Sequence, residues 1–181
     1  MNVRAILIDS SWGSYINSHQ LKTVLLSRRI STNIKIRVFK ALIESIFLYN
    51  CETWGLTAAQ ENSIDVFQRK LLRNILGIRY SAHNWISNDE LYKITKQEHW
   101  SRTIRKRRLT FFGHVCRLDE RTPARIALNE ALRPVKRPRG GKQTTYLSTI
   151  KKDLKKLQLT IDQARKLAVD RDSWRKAMCK A

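Results

Sequence analysis

The side chains best suited to a chemical task in this sequence are cationic, and the densest run of them is Arg105, Lys106, Arg107 and Arg108. A guanidinium group donates two parallel hydrogen bonds to a phosphate, and an ammonium group attracts the same anion as a point charge. We therefore predict that this run contacts phosphates, largely without regard to base sequence. We also predict that neutralising all four residues weakens nucleic-acid binding and leaves the fold largely intact.

Other cations extend this predicted nucleic-acid-binding site along the chain. They are Arg69, Lys70, Arg73, Arg102, Arg117, Arg133, Lys136, Arg137, Arg139 and Lys142. Aromatic residues interleave with the cations, and exposed aromatic rings can stack on bases. For Trp100, Phe111 and Phe112, however, we favour a place in the hydrophobic core.

Carboxylates give no sign of catalysis. A metal-dependent polymerase or nuclease needs two or three convergent carboxylates to hold divalent ions. The 15 acidic residues include no adjacent Asp pair and no such constellation. Asp89 and Glu90 fit the first turn of a helix, where the helix dipole favours them, and Asp170 and Asp172 fit local ion pairs with neighbouring arginines.

Histidine and cysteine residues do not form a zinc motif. His83, His99, His114 and Cys116 are the nearest to one, but no CxxC or HxxxH spacing accompanies them. A cysteine in the segment FFGHVC is more often a small buried apolar residue. The sequence therefore predicts no catalytic residue, no metal and no cofactor.

The excess of positive charge indicates what kind of partner to expect. The 36 Lys and Arg residues outnumber the 15 Asp and Glu residues, which gives a formal net charge of +21. Residues 102–142 alone hold 13 basic and 3 acidic residues. Solubility requires a net charge of only about 2 to 8. We therefore predict that RNA, DNA or an RNA–DNA hybrid is the partner.

The elements that must position these cations are predicted to be helices. Only 6 Gly and 3 Pro residues occur, which favours an all-α fold, with a small helical bundle followed by a more open, basic helical extension. Apolar spacing predicts helices at 33–51, at 64–78, at 98–117, at 123–132, at 143–158 and at 160–178. A strand is conceivable only at residues 3–8.

Capping patterns mark where the helices begin. A Ser or Thr followed three residues later by Glu or Gln can satisfy two backbone N–H groups at a helix start. Such pairs occur at Thr57/Gln60, Ser87/Glu90, Thr95/Glu98 and Thr160/Gln163, and Thr122 precedes a proline suited to the first helical position.

These features divide the chain into five predicted segments. They are an unassigned segment at 1–15, a helical bundle at 16–80, a basic helical segment at 81–132, a flexible basic linker at 133–142 and amphipathic helices at 143–181. The main boundary is predicted near 80–86. Three distant cysteines form no disulfide framework, and the N-terminus lacks a signal-peptide pattern. We therefore expect an intracellular chain, nuclear rather than cytoplasmic, with no membrane partner.

Five blocks of sequence, taken in order, resemble a known family. The blocks are YNCETWGLT (49–57), FQRKLLRNILGI (67–78), RRLTFFGHVCRL (107–118), KRPRGG with KQTTYLSTIKKDL (136–154) and ARKLAVDRDSWR (164–175). Together they are similar to the C-terminal part of reverse transcriptases encoded by non-LTR (LINE-like) retrotransposons, which are often fused to an endonuclease. The resemblance covers about 20–176, and Tyr146 stands where the family usually has tryptophan.

The resemblance implies a role for each part of the chain. Residues 20–80 would correspond to the polymerase thumb, which packs against the template–primer duplex, and the later residues to a basic extension that grips RNA or DNA. The family's paired palm aspartates have no counterpart in this sequence. The resemblance thus implies a truncated or degenerate copy, or a fragment of a longer reading frame, that binds nucleic acid and does not polymerise by itself.

Two other functions remain open at this point. The chain could be a stand-alone host module that binds RNA or DNA, in which case the genomic DNA upstream of it would not encode a paired-aspartate motif. It could also be a protein-interaction bundle, whose first helices dock onto the missing polymerase palm. An exposed apolar patch within residues 34–54 would favour that alternative, because such patches mark docking surfaces.

Overall fold

The computed structural model describes residues 19–78, 86–133 and 144–179, and the regular elements in these ranges are all helical. The all-α prediction is therefore confirmed for the described part of the chain. The conceivable strand at 3–8 and nearly all of the predicted linker at 133–142 lie outside these ranges. No helix in the described ranges has the length and apolar character needed to cross a membrane.

Each of the six predicted helices overlaps a helical element of the structure, with several changed bounds, and the helices at His19–Leu26 and Asn88–Thr95 were not predicted from apolar spacing. The elements are α1 (His19–Leu26), α2 (Thr32–Val38), a π-helical segment (Phe39–Glu44), α3 (Ser45–Phe47), a 3₁₀ turn (Cys51–Thr53), α4 (Ala58–Leu76), α5 (Asn88–Thr95), α6 (Trp100–Arg117), α7 (Pro123–Leu132), α8 (Tyr146–Lys156), α9 (Ile161–Val169) and α10 (Arg171–Met178). The helix predicted at 33–51 therefore ends at Phe47, and the one predicted at 160–178 is two helices.

Most of the predicted helix starts are confirmed. Thr160 and Gln163 form a complete capping box, in which each side chain accepts a hydrogen bond from the other residue's backbone N–H. Ser87 accepts from the backbone N–H three residues later, at 3.2 Å. Helix α7 begins directly after Thr122, with proline in its first turn, and α4 begins directly after Thr57.

Three caps differ from the sequence prediction. Thr95 was predicted to begin a helix, but it ends α5, and its hydroxyl donates to the Leu91 carbonyl at 2.7 Å. Thr145 and Ser148 form an unpredicted capping box at the start of α8. Asp170 was predicted to form an ion pair, but its carboxylate caps α10 by accepting two backbone N–H bonds. This cap explains why α9 and α10 are separate helices.

The described chain divides into two compact units. Among the described residues, the first unit contains 19–49, 58–78 and 86–103, and the second contains 50–57, 104–133 and 144–179. The division thus falls inside α6 and not near 80–86. The reason is that α5 and the start of α6 contribute buried residues, among them Trp100, to the first unit.

An aromatic cluster forms part of the core of the first unit. The fully buried Trp100 ring lies 4.6 Å from the Phe47 ring and 5.8 Å from the Phe39 ring, measured between centroids, and both pairs are stacked. The Trp100 Nε1 donates to the Glu44 carboxylate at 3.2 Å. The prediction that Trp100 belongs to the core is therefore confirmed.

Side chains of α4 cap the start of α6 within the first unit. The Trp100 backbone N–H donates to Gln68 Oε1 at 2.9 Å, and the Ser101 N–H donates to Asp65 Oδ1 at 2.9 Å. These bonds satisfy backbone donors that lack a partner in the first turn of a helix. Gln68 is fully buried, and its side-chain amide is hydrogen-bonded there as a cap of α6.

The core of the second unit is built on the apolar side of α6. Leu109 and Phe112 belong there to one buried cluster with Ile150 of α8 and Trp174 of α10. The Trp174 Nε1 donates to the Leu109 carbonyl at 3.2 Å. A Cβ atom at Gly113 would overlap the Trp174 ring, so this close approach requires glycine.

Candidate nucleic-acid interface

Arg108 does not lie on the surface where the sequence placed it. Its side chain is 0% exposed. Its Nε donates to Asp153 Oδ2 at 2.7 Å, and its Nη1 donates to the Trp54 carbonyl at 2.9 Å. A guanidinium that is enclosed and hydrogen-bonded in this way cannot reach a phosphate. The prediction that Arg108 contacts nucleic acid is therefore wrong. The residue instead stabilises the fold through its bonds to Asp153 and Trp54.

Arg105 belongs partly to the same buried ion pair. Its Nε lies 3.6 Å from Asp153 Oδ1, and its side chain is 16% exposed. A buried carboxylate is strongly destabilising when it loses its partner. Neutralising the whole arginine run, which is Arg105, Lys106, Arg107 and Arg108, is therefore expected to destabilise the fold. The sequence prediction was that the fold would stay largely intact. Lys106 is half-buried and Arg107 is exposed, so both remain candidates for phosphate contact.

Three of the other predicted cations have partners at the protein surface. Arg102 pairs with Glu98 of the preceding turn at 3.2 Å, and Arg133 pairs with Glu130 at 3.0 Å. Exposed ion pairs of this kind contribute only about 0 to 1 kcal/mol each, so a phosphate can compete for the arginine. Arg117 is exposed, and its Nη1 donates to the Ala168 carbonyl at 2.8 Å.

The predicted cations of α4 differ in exposure. Lys70 is exposed, whereas Arg69 is half-buried. Arg73 is also half-buried, and its Nη2 donates to Asn88 Oδ1 at 2.8 Å, which joins α4 to the start of α5. Lys70 is thus the most accessible of the three. Four further predicted contacts lie outside the described residues, namely Lys136, Arg137, Arg139 and Lys142.

A set of four lysines on α8 was not among the predicted contacts. Lys151, Lys152, Lys155 and Lys156 are all exposed, and we call them the lysine face. Ile150 and Leu154 of the same helix are buried. The signal was present in the sequence, because pairs of lysines repeat at a spacing of four around apolar residues of the same spacing. Net charge per segment does not reveal this signal, because the arginines and lysines of 102–142 give that segment the larger excess.

The histidines and cysteines do not converge within the described ranges. No group of three or more His, Cys, Asp or Glu side chains there could hold a metal ion. His99 Nδ1 lies 3.5 Å from the Asp65 carboxylate. Cys116 is part of the core of the second unit, and burial raises the pKa of its thiol. His83 lies outside the described residues.

No protein-family model, curated protein or solved structure matches this chain. The resemblance of the five sequence blocks to a retroelement reverse transcriptase is therefore not supported by an independent comparison.

Proposed function

We propose that this chain binds the phosphate backbone of RNA, DNA or an RNA–DNA hybrid without reading the base sequence. The observation that carries the proposal is the charge of the second unit. The sequence stretches that contain this unit, 50–57 and 104–181, include 22 basic and 8 acidic side chains, a net charge of +14. A surface with such an excess repels itself, and a polyanion relieves that repulsion.

The burial of aromatic side chains supports contact through phosphates over contact through bases. Trp54, Phe112 and Trp174 are buried in the second unit, and Phe111 is half-buried. Base stacking needs exposed rings. In the second unit the exposed cations therefore offer the main contacts, and these recognise the sugar–phosphate backbone.

Within this proposal, the five sequence blocks suggest a more specific role. The chain would act as the thumb-like and post-thumb region of a non-LTR retrotransposon reverse transcriptase, and it would grip a template–primer duplex or element RNA in the nucleus. It would bind without polymerising, because the acidic residues include no counterpart of the paired palm aspartates. Genomic DNA upstream of the coding sequence tests this role: a paired-aspartate motif supports it, and unrelated sequence contradicts it.

Binding itself is tested with RNA–DNA hybrids of equal length and unrelated sequence. We expect the full chain to bind each hybrid with similar affinity, because phosphate contacts carry no sequence information. Single mismatched base pairs typically cost about 1 to 3 kcal/mol in specific complexes, and no such penalty is expected here. Undetectable binding, or a strong preference for one sequence, would contradict the proposal.

An exposed apolar stripe in the first unit favours a second candidate function, protein docking. Leu42, Ile46 and Tyr49 are exposed at spacings of four and three residues, and Tyr49 is 79% exposed. Ile34 is exposed on the preceding helix. Scattered apolar residues are ordinary at a surface, but a contiguous apolar patch marks an interaction site. We propose the polymerase palm implied by the sequence resemblance as the partner.

The docking candidate is tested by placing charge in the stripe. The variant L42E/I46E should lose binding to a separately produced retroelement palm, whereas I126E/V169E, which alters two exposed apolar residues of the second unit, should retain it. Equal binding by both variants, or no binding by the unaltered chain, would count against docking and would leave the nucleic-acid proposal untouched.

A further inference from the structure

We infer that the lysine face of α8 is a binding surface for the phosphate backbone of a nucleic-acid duplex. This inference rests on the proposed function and assigns it to a particular surface. The face consists of Lys151, Lys152, Lys155 and Lys156, and all four side chains are exposed.

The dimensions of the face match the charge spacing of a duplex. A helix rises about 1.5 Å per residue, so the six positions from Lys151 to Lys156 span about 7.5 Å along the helix axis. A duplex carries one phosphate charge per about 1.7 Å of its axis. That length of duplex carries about four phosphates, about two on each strand, so the charge of four ammonium groups balances that of the duplex segment beside them.

The positive charge of this face is not cancelled by the acid on its own helix. Asp153 is the one acidic residue in the sequence of α8, and it is buried. Its carboxylate faces the guanidinium groups of Arg108 at 2.7 Å and Arg105 at 3.6 Å. The two arginines thus neutralise Asp153 inside the unit, and the lysines keep their charge outside.

The helix that carries the lysines is held firmly at both its start and its inner side. The capping box of Thr145 and Ser148 satisfies backbone donors in the first turn. Ile150 and Leu154 are buried in the core of the second unit. Because the backbone is fixed, the lysines keep a constant spacing, and less ordering is required when they bind.

The chemistry around the face favours a duplex over a single strand. Proteins that grip single strands combine cations with exposed aromatic rings on which bases stack. In the described part of the second unit, the exposed large apolar residues are Ile126 and Val169, and neither is aromatic. A duplex displays its phosphates on the outside and needs no stacking surface.

A simpler role for the lysines makes a different prediction. Cations near the end of a helix stabilise it through the helix dipole, by about 0.3 to 1 kcal/mol each when exposed. If that were their role, replacing them would lower thermal stability and would change binding only as much as any other loss of charge. Stability and binding therefore have to be measured on the same variants.

The experiment compares two full-length variants that lose the same charge. The first is K151Q/K152Q/K155Q/K156Q, which removes the lysine face. The control is K40Q/K93Q/K166Q/K176Q, which neutralises four exposed lysines on separate elements. Affinity for duplex DNA, for an RNA–DNA hybrid and for a single strand of equal length is measured between about 50 and 200 mM salt.

We expect the lysine-face variant to lose at least about tenfold in duplex affinity and to show a log–log salt slope shallower by about 2 to 4, since each lost phosphate contact removes about 0.9 from the slope. The control should lose much less, and both variants should keep the melting temperature of the unaltered chain within a few degrees. The unaltered chain should bind the duplexes more tightly than the single strand.

Each part of the inference can fail separately. Equal losses in the two variants would overturn the assignment to the lysine face and would leave the proposed function standing. Equal affinity for single strand and duplex would overturn the duplex preference. If the unaltered chain bound no nucleic acid at all, the proposed function would fail, and the inference with it.

Discussion

At the scale of single residues, Asp153 determines which cations of the second unit are available. Its carboxylate accepts from Arg108 and lies near Arg105, and both guanidinium groups are withdrawn from the surface as a result. The sequence could not reveal this, because Arg108 and Asp153 are 45 positions apart and meet only when α6 packs against α8. A run of basic residues on a helix predicts positive charge, but it does not predict which member turns inward.

Removing the Asp153 carboxylate is expected to destabilise the chain. The variant D153A leaves the Arg108 guanidinium buried without its charged partner, and the loss of one partner of a buried ion pair costs about 3 to 5 kcal/mol. Urea unfolding measures this free energy. The control K155A alters an exposed residue of the same helix and should change stability by less than about 0.5 kcal/mol. Equal effects of the two substitutions would mean that the ion pair is not structural.

At the scale of helices, the start signals were easier to predict than the ends. Thr160 and Ser87 act locally, because each side chain accepts from a backbone N–H three residues later, so their patterns can be recognised in the sequence. Thr95 has the same pattern but does not begin a helix, because α5 continues up to it. The start of α6 is capped instead by Gln68 and Asp65. When the capping side chains come from another helix, the sequence next to the helix start contains no capping pattern.

The cap at Asp170 predicts a dependence of stability on acid. Hydrogen bonds from Ser173, and from the backbone N–H of Asp172, lower the pKa of the Asp170 carboxyl below its ordinary value of 3.8. A lowered pKa in the folded state means that the cap stabilises above pH 3.8 and is lost as the pH falls through the folded value. In the variant D170N the side chain still caps but does not titrate. The melting temperature of the native chain should therefore fall more steeply below pH 3.8 than that of D170N, and parallel curves would refute this.

At the scale of the whole molecule, the all-α class found in the described residues was predictable from the low content of Gly and Pro. The division into two units was not. Residues 50–57 belong to the second unit, where the Trp54 carbonyl accepts from Arg108, and this contact joins positions 54 residues apart. For the same reason, the candidate site is the lysine face of α8 and not the arginine run of α6. Long-range pairing buries part of the arginine run, whereas the lysines of α8 are exposed.

The salt dependence of duplex binding by the full chain tests the central claim most directly. If the four lysines and other exposed cations contact phosphates, the logarithm of affinity should fall linearly with the logarithm of salt concentration, with a slope steeper than about −3.6. That value corresponds to about four neutralised phosphates, the number the lysine face alone would supply. A slope near zero, or no measurable binding at about 50 mM salt, would contradict the claim that this chain binds nucleic acid through its phosphate backbone.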